Sequence, residues 1–174
     1  MVDATSKRLQ EVAAGVVSFS GKSVSWLLLF MVLITFFIVV MRYGMNLGWI
    51  WLQELVVYLH SAVFLLAIAW AFQADEHVRV DIFYRDKSPR HQAWVNLLGT
   101  TVFVIPFSLF LLWVSWDYVT AAWSVMEGSR EAGGLDFVYV LKALVLVMPV
   151  LVLIQCLDTI PRCISEIRKP VSSG

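Results

Sequence analysis

Charged residues are missing from three long stretches of this chain and nearly missing from a fourth. None occurs between Lys22 and Arg42, none from Leu55 to Ala74, and none from Gln92 to Trp116. The fourth stretch, Phe137 to Leu157, is broken only by Lys142. A helix rises ~1.5 Å per residue, so about 20 residues cross the ~30 Å hydrocarbon layer of a bilayer. The pattern predicts an all-α integral membrane protein with four transmembrane helices, at about 23–43, 52–74, 92–117 and 136–160 by that length rule. The connections are too short to hold a second folded domain, so residues 1–174 are expected to form one unit. Ahead of the first span, Leu9 to Val17 is weakly amphipathic and too short to cross. A separate, short interfacial helix lying flat on the membrane is expected there.

Composition agrees with the pattern and narrows it. Hydrophobic residues make up 60% of the chain and charged residues 15%, well below the roughly one quarter usual in soluble domains. The formal net charge is zero, so there is no basic face for a nucleic acid. The first apolar run is longer than a typical signal-peptide core. Arg42-Tyr43 follows it rather than a small-residue cleavage site, so it reads as a retained helix. Cys156 and Cys163 stand seven residues apart on the fourth helix. That places them about two turns, roughly 10 Å, apart and beyond disulfide reach.

Basic residues set the orientation. Lys7, Arg8 and Lys22, then Arg79, Arg85, Lys87 and Arg90, then Arg162, Arg168 and Lys169 all fall on one side of the four runs. These are ten of the thirteen Lys and Arg; Arg42 and Arg130 fall on the other side, and Lys142 lies within the fourth run. Because the cytoplasmic side retains positive charge, both termini and the central loop are expected to be cytoplasmic. Trp49, Trp51, Trp113, Trp116 and Trp123 gather toward the opposite face, with Trp70 and Trp94 toward the cytoplasmic one. Both sets read as interfacial belts.

Polar groups at membrane depth are costly and need partners. Arg42 ends helix one and Glu54 begins helix two, and the short connection between them predicts an ion pair or a contact to a partner subunit. His60 reads as a buried neutral histidine bonded to a neighbouring helix. A haem ligand would need a second histidine at equal depth, and His77 and His91 both lie in the central loop. Lys142 is expected either to extend its stem to the interface or to pair with Asp136 or Glu127. Pro106 and Pro149 predict kinks within helices three and four. Ala67, Ala71 and Ala74 form a small-residue stripe that invites a close helix contact.

Arg42-Tyr43 closing helix one, Trp51 and Glu54 with Tyr58 opening helix two, and His77-Val78-Arg79-Val80-Asp81 after it resemble the small membrane subunit of tripartite ATP-independent periplasmic (TRAP) transporters. The resemblance covers about residues 25–165. Gln53 stands where the family's first of two glutamates is usual. Ser115 to Tyr118, Glu127-Gly128-Ser129, Gly133-Gly134-Leu135, Lys142, Pro149 and Gln155 look like the branch grouped with carriers of mannitol, chloroaromatic and keto-acid substrates.

The resemblance implies a sodium-coupled importer of organic acids in the bacterial inner membrane, working by an elevator. A periplasmic substrate-binding protein captures the solute, and a large membrane subunit, expected as a separate chain, carries the substrate and sodium sites. The chain read here has no cofactor in that scheme and no catalytic role. It enlarges the immobile frame, helps dock the binding protein, and meets the phospholipid bilayer. Arg42, Trp51, Glu54, Tyr58, Glu127, Arg130, Glu131 and Lys142 are the expected partner-facing residues. His77, Arg79 and Asp81 form the cytoplasmic signature, with Asp81 expected to help cap helix two. Two other classes fit the bare pattern: a haem- or quinone-type membrane anchor, and a small four-helix exporter acting alone.

Overall fold

The computed structural model describes residues 2–74 and 87–168, with side chains from residue 10 onward and that of Arg8. They form α1 (Val2–Met45), α2 (Ile50–Gln73), α3 (Pro89–Gly99), a π-helical turn (Thr100–Val104), α4 (Ile105–Ser124) and α5 (Val138–Arg168). Four helical lengths are long and apolar enough to cross a membrane: 10–45, 50–73, 89–124 and 138–168. The third is α3, the π turn and α4 running on as one.

Local chemistry explains the boundaries. Ser88 opens α3, its hydroxyl accepting from the His91 N–H at 3.4 Å, with Pro89 at the first helical position. Proline is favoured there because its missing N–H has no intrahelical partner to lose. Pro106 shapes the middle of the third span. It cannot donate to the carbonyl four residues back, and its ring crowds that carbonyl. The helix widens ahead of it, and the Ile105 N–H reaches Thr100 O, five residues back. The expected distortion at Pro106 is thus a π turn. Pro149 and Pro161 both lie inside α5, which continues past them to Arg168.

The N-terminal segment differs from expectation. It is not a separate short helix; it runs unbroken into the first span, giving α1 44 residues and a length of about 66 Å. No proline interrupts residues 2–45, and Gly15 and Gly21 stand singly within the helix, a modest cost in a helix this long.

α5 is the hub and touches α1, α2, α3 and α4. α1 and α2 run antiparallel: Ser20 Oγ donates to Leu66 O at 3.4 Å and Gln73 Nε2 to Ala14 O at 3.0 Å. Val17, Ala69 and Val152 form the buried core, flanked by Ile68, Val104, Met148, Leu151 and Ile154. The close approach on α2 is at Ala69, fully buried, and not along Ala67, Ala71 and Ala74, which are half-buried or exposed. Gly21 completes it. Trp70 lies so near that any side chain at Gly21 would enter the indole ring. Trp70 therefore serves helix packing as well as the interface.

We call the end bearing the α1–α2 and α4–α5 connections the loop end, and the opposite one the termini end. At the loop end α1 overshoots α2. Asn46 turns the chain back with a positive φ (54°), the Leu47 N–H donates to Met41 O at 3.1 Å, and Trp49, in extended form, stacks on Phe37 at 6.3 Å. α2 therefore starts beside Phe37, about two turns below the end of α1.

Candidate functional site: a polar loop clamped across the helix ends

α4 ends in a Schellman turn. Met126 takes positive φ (46°), its N–H donates to Trp123 O at 3.2 Å, and the Glu127 N–H donates to Ala122 O at 3.0 Å. This reversal fixes where Glu127 stands. The chain then makes a compact excursion to α5. The Ser129 N–H donates to Leu135 O at 3.1 Å, the Gly134 N–H to Glu131 O at 3.0 Å, and the Glu131 N–H to Ser129 Oγ at 3.1 Å. Gly133 adopts φ +82°, a region that glycine enters without a Cβ penalty.

Two side chains fasten this loop to the helices. The Glu54 carboxylate on α2 accepts from the Ser129 hydroxyl and, at 2.6 Å, from the Leu135 N–H. Gly134 sits against the same carboxylate and Ser129, with no room for a Cβ. Gly128 packs likewise on Asp136, whose Oδ1 would lie 2.8 Å from an added Cβ. On α5, the Lys142 ammonium pairs with Glu127 and sits 4.2 Å from the centre of the Tyr118 ring of α4. Trp123 and Tyr139 close the junction edge to face at 4.9 Å. Charge-assisted bonds of this kind are shorter and stronger than neutral ones. In a half-buried setting they hold the loop to the helices.

The expected site residues divide accordingly. Glu54, Glu127 and Lys142 are brought together with the loop, and of the two acids offered for Lys142 the partner is Glu127. Tyr58 lies on the same helix as Glu54, with its hydroxyl buried and without a hydrogen-bond partner. Arg130 and Glu131 are exposed on the loop, and Trp51 is exposed at the start of α2. Arg42 does not pair with Glu54. The offset of α1 and α2 leaves Arg42 well beyond Glu54 along the axis, exposed, while Ser129 and Leu135 occupy the carboxylate. His60 is likewise not buried: it is exposed on α2, with no bond to a neighbouring helix among the described residues. His77, Arg79 and Asp81 lie outside the described residues.

Sequence reasoning missed a second polar cluster, near the termini end. Asp158, 1% exposed, accepts from Arg162 Nε at 2.8 Å and from Gln155 Nε2 at 3.2 Å. The three residues recur every three or four positions on one face of α5, the spacing at which helical side chains meet. That spacing was the available signal. Gln155 Oε1 is buried without a partner. Cys156 and Cys163 are buried on the same helix and form no disulfide with each other. Among the described residues no group of three His, Cys, Asp or Glu is placed to hold a metal ion.

A helical protein with four membrane-length spans and a structured polar loop at one end is the class these observations define. The sequence profile of the tripartite ATP-independent periplasmic transporters, DctQ component, matches residues 31–166. That is well over half of the chain, and the chain belongs to this family of transporter components. No curated protein and no solved structure matched it.

Proposed function

We propose that this chain is the small membrane subunit of a sodium-coupled, binding-protein-dependent importer of organic acids in the bacterial inner membrane. It widens the static frame of a large elevator-type subunit and helps dock the periplasmic binding protein. The observation that carries the docking half is the clamped 125–137 loop. Its own contacts hold it to α2 and α5, and it presents Arg130 and Glu131 to solvent. Pre-ordered exposed charges suit a transient polar contact, since little ordering entropy remains to be lost on binding. Glu127 and Lys142 are turned toward each other and serve the loop's shape, so the docking contact rests on Arg130 and Glu131. The basic residues at the termini end support a cytoplasmic placement of that end. The solute branch suggested by the sequence remains part of this proposal.

The test is double charge reversal, Arg130→Glu with Glu131→Lys, in the assembled transporter reconstituted in vesicles with its binding protein. Uptake should fall while the two membrane subunits still purify together. Unchanged uptake would retire the docking role. Vesicles holding this polypeptide alone should accumulate no organic anion; accumulation would retire the framing role.

A further inference from the structure

The outward face of α2 carries Gln53, Val57, His60 and Phe64, all exposed and spaced four, three and four residues apart. This spacing makes one continuous stripe along a helix. His60 is ten residues from the start of α2 and thirteen from its end, so it sits about 15 Å inside the apolar length by helical rise. Among the described residues it has no hydrogen-bond partner. Hydrocarbon is a poor neighbour for it: an imidazole has a donor and an acceptor to satisfy, and ionisable groups at this depth almost always face protein or a water-filled cavity. It also cannot reach the interface. Lys22, exposed on α1, differs in having a long flexible stem that carries its ammonium toward water. Asp117 is exposed beside Tyr118, level with the Lys142 contact near the loop end. The loop-end half of α1 is exposed too, through Leu28, Leu29, Phe30, Leu33 and Phe36, but those side chains are as content in lipid as in protein. Exposure alone does not single out α2; the histidine does.

We infer that the Gln53–Val57–His60–Phe64 face of α2 is the seam at which this chain meets the large membrane subunit, and that the imidazole of His60 hydrogen-bonds a polar group of that partner at mid-membrane depth. The inference rests on the framing role proposed above and assigns it a surface. Complementarity fixes the partner's chemistry: a transmembrane helix with a hydroxyl, amide or free carbonyl opposite His60 and small or apolar residues opposite Val57 and Phe64. Interhelical hydrogen bonds give such contacts direction where apolar surface cannot distinguish a protein from lipid.

The experiment uses the chain co-expressed with its cognate large subunit. A benzophenone photocrosslinker replaces Val57 or Phe64 on α2, or Phe30 or Leu33 on α1 as controls at exposed apolar sites. Adducts to the large subunit are expected from Val57 and Phe64 in excess of those from α1. In parallel, His60→Leu should lower the large subunit recovered per small subunit by about three- to tenfold, and His60→Gln should restore most of it. The variant side chain is exposed in the isolated chain, so its helicity and monodispersity should stay unchanged. Adducts from the α1 sites alone, adducts to a second copy of this chain, or equal recovery with His60→Leu would overturn the inference and leave the framing role standing. A large subunit that never purifies with the wild-type chain would overturn both.

Discussion

The two ends of the bundle are held by different means. At the termini end helices meet directly: Val17, Ala69 and Val152 interlock, and Gly21 admits the Trp70 ring. At the loop end the helices are spanned by a polar segment fastened through Glu54 and Lys142. Lipid explains the need for both. Burying a leucine from hydrocarbon into protein gains little, so cohesion comes from close steric fit or from hydrogen bonds. The termini end combines close fit with two bonds between α1 and α2, from Ser20 to Leu66 and from Gln73 to Ala14. The loop end relies on bonds to the connecting segment. The same contrast appears within helices. In its most apolar window α5 is 28% buried, whereas that of α1 is 6% buried. α5 is the structural centre, and the loop-end half of α1 is a surface offered to lipid or to a partner.

Filling the fitted end should do the greatest damage. Gly21→Leu drives a side chain into the indole and should cost about 3 kcal/mol, read as a lowered unfolding midpoint in mixed micelles. A loss no larger than that of a surface change would show that the Trp70 contact is dispensable. Cutting the bonded end should act locally instead. Glu54→Ala removes the acceptor for Ser129 and Leu135, and hydrogen exchange across 125–137 should speed roughly tenfold with the helices unaffected. Helix-wide acceleration would erase the distinction between the two ends. Gly134→Ala presses a methyl on the same carboxylate and should loosen the loop more mildly, roughly threefold by exchange. Smallest of all, Leu33→Ala on the exposed half of α1 should shift the stability of the isolated chain by less than about 0.5 kcal/mol. A shift comparable to that of Gly21→Leu would place Leu33 in a contact not seen here.

Particular residues show how far sequence reasoning reaches. Lys142 was legible because a charge inside an apolar run must find a partner, and Glu127 was among the few acids near enough. Pro106 was legible as a distortion, since a missing N–H has only local consequences. Glu54 was legible as a group needing a partner, with Arg42 or a partner subunit expected; Ser129 and Leu135 take the carboxylate instead of Arg42. Connection length suggested Arg42, and it could not reveal that residues 46–49 fold back and shift the helices by two turns. His60 fails for a related reason. A mean apolar pattern shows depth but not azimuth, because α2 is apolar on nearly every side and no polar face marks which way it turns.

The sequence by itself determined that this chain is a membrane protein with four apolar runs of membrane length, and how charge is distributed at their ends. Those follow from the length of apolar runs against a fixed hydrocarbon thickness and from the placement of Lys and Arg. Its residues also carried the family resemblance that the profile match later established. Tertiary structure alone decided that α5 is the hub, that Glu54 holds the loop rather than Arg42, and that His60 faces outward. Azimuth and axial offset between helices depend on steric fit at residues such as Gly21 and Ala69. Those contacts join positions far apart in the chain, and no local pattern encodes them.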